Sequence, residues 1–382
     1  MIDEATYAGL SAAGIAAAVR SRELSAAEIA AAALRRIDEA DGAVRAFTEV
    51  WADSARDAAA AVDRAVRDGH ELRLAGVPIG VKATEGTTSV QSRRLLDAGC
   101  VPVGATSTPG AGTDWQTWGH TDRGPTLNPC SPDLSPGGSS AGSAVAVATG
   151  MVPLATGSDG AGSVRIPAAW CGILGLKPTN GRGPARDRAG LNIAGPLARR
   201  AEDLAAWLDV VCGVDAPRVL DRPVRVAWSA DLGFATTEPE VASVAQEALD
   251  ALVRAGVIEV VAAPVELLDP APAWTAVRVS GGGRAADKLR AEIDRRLREA
   301  FDNVDLIATP TTPNPAHGHD GPGPAMSVAL TWTFNLSGHP AISLPAGFTS
   351  TGAPVGLQLV AHHDQEPLLL AAASMATGRL RQ

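Results

Sequence analysis

Apolar residues recur at roughly helical spacing through the first seventy positions. Leu10, Ile15 and Val19 form one such series, and Ile29, Leu34 and Ile37 form another. Ser25 followed three positions later by Glu28 is a capping-box signal, so a helix is predicted to start there. Phe47, Val50 and the alanine-rich run 58–65 extend the helical reading. The pattern then shifts. A nearly continuous apolar run over 74–81 predicts a buried strand ending at Lys82, a helix ends over 95–99, and 101–106 predicts the next strand. Further on, Leu204, Trp207, Leu208 and Val211 mark a helix over 201–211. Strand, amphipathic helix and strand then follow over 224–228, 239–255 and 257–261, a β-α-β unit. Residues 284–301 read as a charged, solvated helix with Leu289, Ile293 and Leu297 on one side. Residues 305–310 return to buried strand.

Two stretches do not follow this alternation. Residues 108–132 are rich in Gly, Pro, Asp and Thr and predict a loop. It carries Trp115 and Trp118, which either pack beneath the loop or form a wall of a substrate pocket. From Leu134 to Ser158 there is no charged residue, yet Gly, Ser and Pro break the apolar run too often for a membrane span. A buried core segment is expected instead. Ser163 closes the run Gly160-Ala161-Gly162-Ser163, whose small side chains let successive backbone N–H groups converge on one atom, as an oxyanion hole requires. Ser139 lies 24 positions earlier in Gly137-Gly138-Ser139-Ser140, and residues 144–148 can form a buried helix between the two. A hydroxyl nucleophile needs a base. Lys82 is the upstream candidate, since its apolar strand would desolvate an ammonium and lower its pKa.

The motifs GVPIGVK (76–82), GGSSAGSA (137–144) and GSDGAGSVRIPAAWCGILGLKPT (157–179) resemble those of the amidase signature enzymes. The segments FNLSGHPAISLPAG (334–347) and GLQLV (356–360), and a last helix over 367–380, resemble the family's closing motifs. The resemblance implies an α/β fold with one large twisted mixed sheet flanked by helices on both faces. It implies one domain over 1–382, with a helical prelude over about 1–70, a catalytic core over about 71–212 and 303–382, and a shortened variable region over about 213–302. It also implies Ser163 as nucleophile, Ser139 as a serine following a cis peptide bond, Lys82 as base, and Gly160, Ala161 and Gly162 as the oxyanion hole. Hydrolysis of a small-molecule amide without metal or organic cofactor is the implied activity. An amidotransferase subunit passing ammonia to a partner and a non-catalytic binding module are the alternatives.

Composition adds exclusions. A net charge of −9 argues against a nucleic-acid groove. The start MIDEATYAGL has no secretory pattern, so a cytoplasmic location is expected. No membrane partner is expected, and a homodimer is left open. Cys100, Cys130, Cys171 and Cys212 contain no C-x-x-C pair and are expected to be buried free thiols. Gly138-Ser139-Ser140-Ala141-Gly142 satisfies G-x-S-x-G, which would make Ser140 the nucleophile, but such an elbow follows a strand directly and this one follows a loop. The histidines read as surface or core residues. The chain departs from the family at Ala83 (usually Asp), at Ala105-Thr106-Ser107 (usually Lys-Thr-Asn) and at Ala161 (usually Gly). It is also short between Lys82 and Leu95 and between Gly213 and Asp305. These parts normally shape the pocket, so the departures bear on substrate class.

Overall fold

The computed structural model describes residues 2–185, 187, 189–216, 220 and 222–377. In chain order it forms helices α1 (Glu4–Gly9), α2 (Ala12–Arg20) and α3 (Ala26–Val44), strand β1 (Phe47–Val50), α4 (Ala52–Arg67), β2 (Pro78–Lys82), α5 (Val90–Asp97) and β3 (Val101–Thr106). A short ribbon, β4 (His120–Thr121) with β5 (Gly124–Pro125), precedes α6 (Ala141–Ala148), β6 (Leu154–Asp159), α7 (Arg165–Trp170), β7 (Leu174–Lys177), β8 (Ile193–Ala198) and α8 (Ala201–Cys212). There follow β9 (Val224–Trp228), α9 (Pro239–Arg254), β10 (Ile258–Val260), α10 (Ala271–Ser280), α11 (Arg284–Phe301), β11 (Leu306–Pro310), α12 (Trp332–Leu336), β12 (Ala341–Phe348), β13 (Pro354–Ala361) and α13 (Glu366–Thr377).

Eleven strands make one mixed sheet in the order β1-β3-β2-β6-β8-β7-β12-β13-β11-β9-β10. The fold is therefore mixed α/β, built on one large sheet as the resemblance implied. Strands β3, β2 and β6 run parallel side by side, and β9 is parallel to both β10 and β11. The other contacts in the sheet are antiparallel. Strands β2 and β6 are buried at every position, which is why they read as apolar or small runs without alternation.

Several predicted elements lie where the pattern put them. The Ser25–Glu28 capping box is fully formed at the start of α3, and β9, α9 and β10 make the expected parallel β-α-β unit. Helix α11 buries Ile293 and Leu297 and leaves its charged positions outward. Other expectations need correction. Phe47 and Val50 do not continue a helix: α3 ends at Arg45, whose φ of 56° is left-handed, and 47–50 then pairs with β3 as an edge strand. Residues 74–77 form turns, with the Val77 N–H bonded to Leu74 O, so the strand begins only at Pro78. The loop 108–132 contains the β4–β5 ribbon. Of the cysteines, Cys100 and Cys171 are buried but Cys130 is exposed; all four are free. Residues 378–380 of the expected last helix lie outside the described residues. Among the described residues, no helix is long and apolar enough to cross a membrane.

Candidate active site

Three segments converge at the carboxyl ends of the parallel strands β2 and β6, where open α/β sheets commonly bind ligands. Lys82 is the last residue of β2 and only 2% exposed. Its backbone N–H donates to Thr156 Oγ1 on β6, at 2.9 Å. Its Nζ lies 2.9 Å from Ser139 Oγ, 2.9 Å from Ser140 Oγ, 3.1 Å from Ser158 Oγ and 3.4 Å from Ser158 O. Four uncharged oxygens thus lie within 3.4 Å of the amine.

The second segment is the turn before α6. The Gly138–Ser139 peptide bond is cis. A Cβ on Gly138 would fall 2.2 Å from Gln116 O and 2.6 Å from Trp118 O, so the turn can press against the 115–118 loop only with glycine there. Ser140 is fully buried at the start of α6, beside Lys82 and away from the cavity described below. Its N–H donates to Ser163 O at 3.2 Å and joins this turn to the third segment.

That third segment, Asp159 to Arg165, is held by buried charge. Arg165 Nε and Nη2 bond the two Asp159 carboxylate oxygens at 3.0 and 2.8 Å. Arg165 also reaches Gln358 Oε1, Asn335 Oδ1 and Thr331 O. Asn335 Nδ2 donates back to Asp159 O and Oδ1. Burial alone would push the Asp159 carboxyl up, but Arg165 and Asn335 outweigh it and hold the group well below the usual carboxylate range. The carboxylate also accepts from the backbone N–H of Gly162, Val164 and Arg165. Gly162 has φ of 121°, and a Cβ there would stand 2.4 Å from Thr331 Oγ1. Ala161 is not among the residues with positive φ, so its methyl is tolerated.

One expected oxyanion donor is thereby committed elsewhere. The Gly162 N–H bonds Asp159 Oδ1 at 2.8 Å, and Gly162 does not line the cavity. Gly160, Ala161 and Ser163 do line it, as does Ser139. The cavity encloses about 590 Å³, within the range of roughly 300–1,000 Å³ found for sites that hold small organic ligands. The Ser163 hydroxyl makes no hydrogen bond among the described residues. The Lys82–Ser139 contact is therefore formed and a Ser139–Ser163 contact is not.

The two tryptophans of the loop part company. Trp115 lines the cavity, whereas Trp118 does not; its indole N–H donates to Thr113 Oγ1 and its ring stands edge-on to His120. Sequence reasoning missed the opposite wall, made by Trp274 and Arg278 of α10, Trp332 at the start of α12, and the loop 322–328. One signal was available: the chain has 8 Trp against 5 Phe and 1 Tyr, so its scarce aromatics are mostly indoles that combine apolar area with a donor. Trp274 uses that donor, bonding Gly160 O at 2.9 Å, and Thr331 Oγ1 bonds Ala161 O at 2.6 Å. Among the described residues, no group of three or more His, Cys, Asp or Glu is arranged to hold a metal ion.

Comparison with known proteins follows the same lines. A family model described as Amidase matches residues 83–280 and 280–370. The chain is 34% identical to an acylamidase of Rhodococcus erythropolis, over 96% of this chain and 94% of that protein. It is 32% identical to one of the subunits of glutamyl-tRNA(Gln) amidotransferase from Synechococcus sp. (strain WH7803), over 91% of this chain and 92% of that one. Among solved structures it resembles 6-aminohexanoate cyclic dimer hydrolase complexed with substrate, with a TM-score of 0.82 at 26% identity, covering 98% of this chain and 97% of the other. The alignment to the acylamidase extends over 454 positions against 382 residues here, so that relative carries segments this chain lacks.

Proposed function

The chain belongs to the amidase signature family, and on that premise we propose that it hydrolyses the C–N bond of a small-molecule carboxylic amide through an acyl-enzyme on Ser163. The observation that carries this reading is the 2.9 Å contact between Lys82 Nζ and Ser139 Oγ, at the edge of the cavity that Ser163 also lines. The relay requires the uncharged amine, the form able to accept a proton, on a side chain that is only 2% exposed. Lys82 takes the Ser139 proton, Ser139 takes the Ser163 proton, and Ser163 Oγ bonds to the carbonyl carbon. Backbone N–H groups of Gly160, Ala161 and Ser163 face the developing oxyanion, each such donor being typically worth on the order of 10²–10³ in rate. The C–N bond then breaks as the proton returns through Ser139 to the departing nitrogen. Water gives its proton to the same relay, its oxygen attacks the ester, and the carboxylic acid leaves with Ser163 reprotonated. The mechanism requires a Ser139–Ser163 hydrogen bond in the substrate complex.

A fluorophosphonate probe with peptide mapping tests this directly. Modification at Ser163 is expected; modification at Ser140 instead sinks the mechanism. Ser163→Ala and Lys82→Ala should each lower kcat by about 10⁴-fold or more, while replacing the histidines singly leaves turnover measurable. Linear amides are the expected substrates, so a panel that pairs linear with cyclic amides checks that point. Similarity to part of an amidotransferase favours a second reading, release of ammonia for a partner protein. Stoichiometric recovery of such a partner, with glutamine as the preferred amide, distinguishes it.

A further inference from the structure

We infer that Trp274 and Trp332 form the subsite for the acyl side of the amide and select a flat, aromatic acyl group. This rests on the proposed function, because it uses the direction of proton return to tell one side of the substrate from the other. The leaving nitrogen must lie near the hydroxyl that reprotonates it, Ser139. That serine sits on the turn whose Gly138 packs against the backbone of Gln116 and Trp118, so the amine side faces the 115–117 stretch of the cavity. The carbonyl oxygen points at the Gly160 and Ala161 N–H groups. What remains for the acyl substituent is the direction of α10 and α12.

There the two indoles have centroids 6.1 Å apart with planes tilted by 41°. That spacing is too small to admit a third ring between them, so they make one aromatic wall rather than a slot. The wall is built before substrate arrives. Trp274 is held by its bond to Gly160 O at 2.9 Å, and the Arg278 guanidinium lies 6.0 Å from the Trp274 ring centroid while bonding Asp187 at 2.5 Å. Ile166 and Val328 line the same cavity and add apolar surface. A planar ring can stack face to face on one of these tilted indoles while its edge meets the other; a puckered ring of equal size touches them at a few atoms.

The test uses two pairs of amides matched in heavy atoms. Benzamide and cyclohexanecarboxamide differ in the flatness of the acyl group; acetanilide and N-cyclohexylacetamide differ only on the amine side. Comparing variants with wild type cancels the intrinsic reactivity of each amide. Trp274→Ala is expected to lower the benzamide to cyclohexanecarboxamide ratio of kcat/KM by about tenfold, with the acetanilide pair changing less than about twofold. Trp332→Leu should act in the same direction and serves if Trp274→Ala does not fold. An unchanged acyl ratio in folded variants that still hydrolyse amides overturns this inference and leaves the proposed function standing. So does a larger change in the amine pair. Failure of wild type to cleave all four amides, with Ser163 unmodified by the fluorophosphonate, overturns both.

Discussion

On one wall of the cavity, the segment from Asp159 to Arg165 is fixed by an ion pair with neither side chain exposed. Beyond that segment, Arg165 bonds the Thr331 carbonyl and the Asn335 and Gln358 side-chain amides. On the adjoining wall, α10 buries only Ala273 among its ten residues. It meets the same segment through the Trp274 indole N–H, with the Arg278–Asp187 pair beside it at the surface. On the proposed mechanism the first wall must hold backbone donors in place, and a fully satisfied buried polar network does that because any loosening leaves a charge unpaired. The second has only to offer shape and apolar area. Few attachments suffice, and its residues can change without disturbing the chemistry.

Breaking the first wall should therefore have the largest effect. Arg165→Ala strips Asp159 of its counter-charge in a fully buried site, and the expected loss is about 3–5 kcal/mol of stability, read as a lowered urea midpoint. The depressed Asp159 carboxyl also makes stability depend on pH. Its stabilising contribution is present above the ordinary carboxylate range and is lost as pH falls through the lower native value. In Arg165→Ala that acid-side loss of stability should be weaker, because the native carboxyl is no longer held down.

Gly162→Ala comes next. The substitution puts a methyl at a φ of 121° and 2.4 Å from Thr331 Oγ1, for an expected cost of about 1–3 kcal/mol. Removing the clash through Thr331→Ala should restore only part of it, since the backbone conformation stays unfavourable. Full recovery in the double variant would show that sterics alone, not φ, demands glycine there.

The contrast between the walls also explains what can be seen from the chain alone. Lys82 ends an apolar run, and Ser139 and Ser163 close short Gly-rich runs, so each announces itself locally by a composition that only tight backbone packing requires. The partners of Arg165 cannot be found that way: Asn335 and Gln358 lie 170 and 193 positions away and are ordinary amides until the sheet brings them together. Strand β6 is hidden because a strand buried on both faces needs no alternation, and its Thr, Gly and Ser mask even the apolar run. Phe47–Val50 reads wrongly as helix because helix and edge strand differ there only through the left-handed turn at Arg45. Trp274 and Trp332 fall in stretches without a motif, where an indole on a helix reads as ordinary core.

Lys177, at the end of β7, reports on what the first wall costs. Burial is the main influence on it, followed by Arg165, and together they bring its pKa down to about 7 despite Asp159 and Glu366. Its amine donates to Pro178 O at 2.7 Å and to Asn180 Oδ1 at 2.9 Å. A lysine lowered on folding binds fewer protons in the native than in the unfolded state between about 7 and its ordinary value of 10.5, so it makes stability rise with pH across that window. Below the window both states are protonated and its unfavourable contribution is complete. Lys177→Met should flatten the rise by about one proton, measured as urea midpoints at pH about 6.5 and about 9.5. A slope equal to wild type would mean that Lys177 stays charged in the native protein.

The smallest effect is expected where the walls touch. Trp274→Phe keeps an aromatic face toward the cavity and removes the donor that reaches Gly160 O, a single bond at 2.9 Å. Net contributions of one such bond run about 0.5–1.5 kcal/mol, and Gly160 O borders an open cavity, so water can replace the lost partner. Stability should fall by no more than that range. Discrimination between benzamide and cyclohexanecarboxamide should stay within about threefold of wild type, because ring stacking survives. If Trp274→Phe instead matched Arg165→Ala in lost stability, α10 would be a structural brace of the Gly160–Ser163 turn, and the division of labour between the two walls would be wrong.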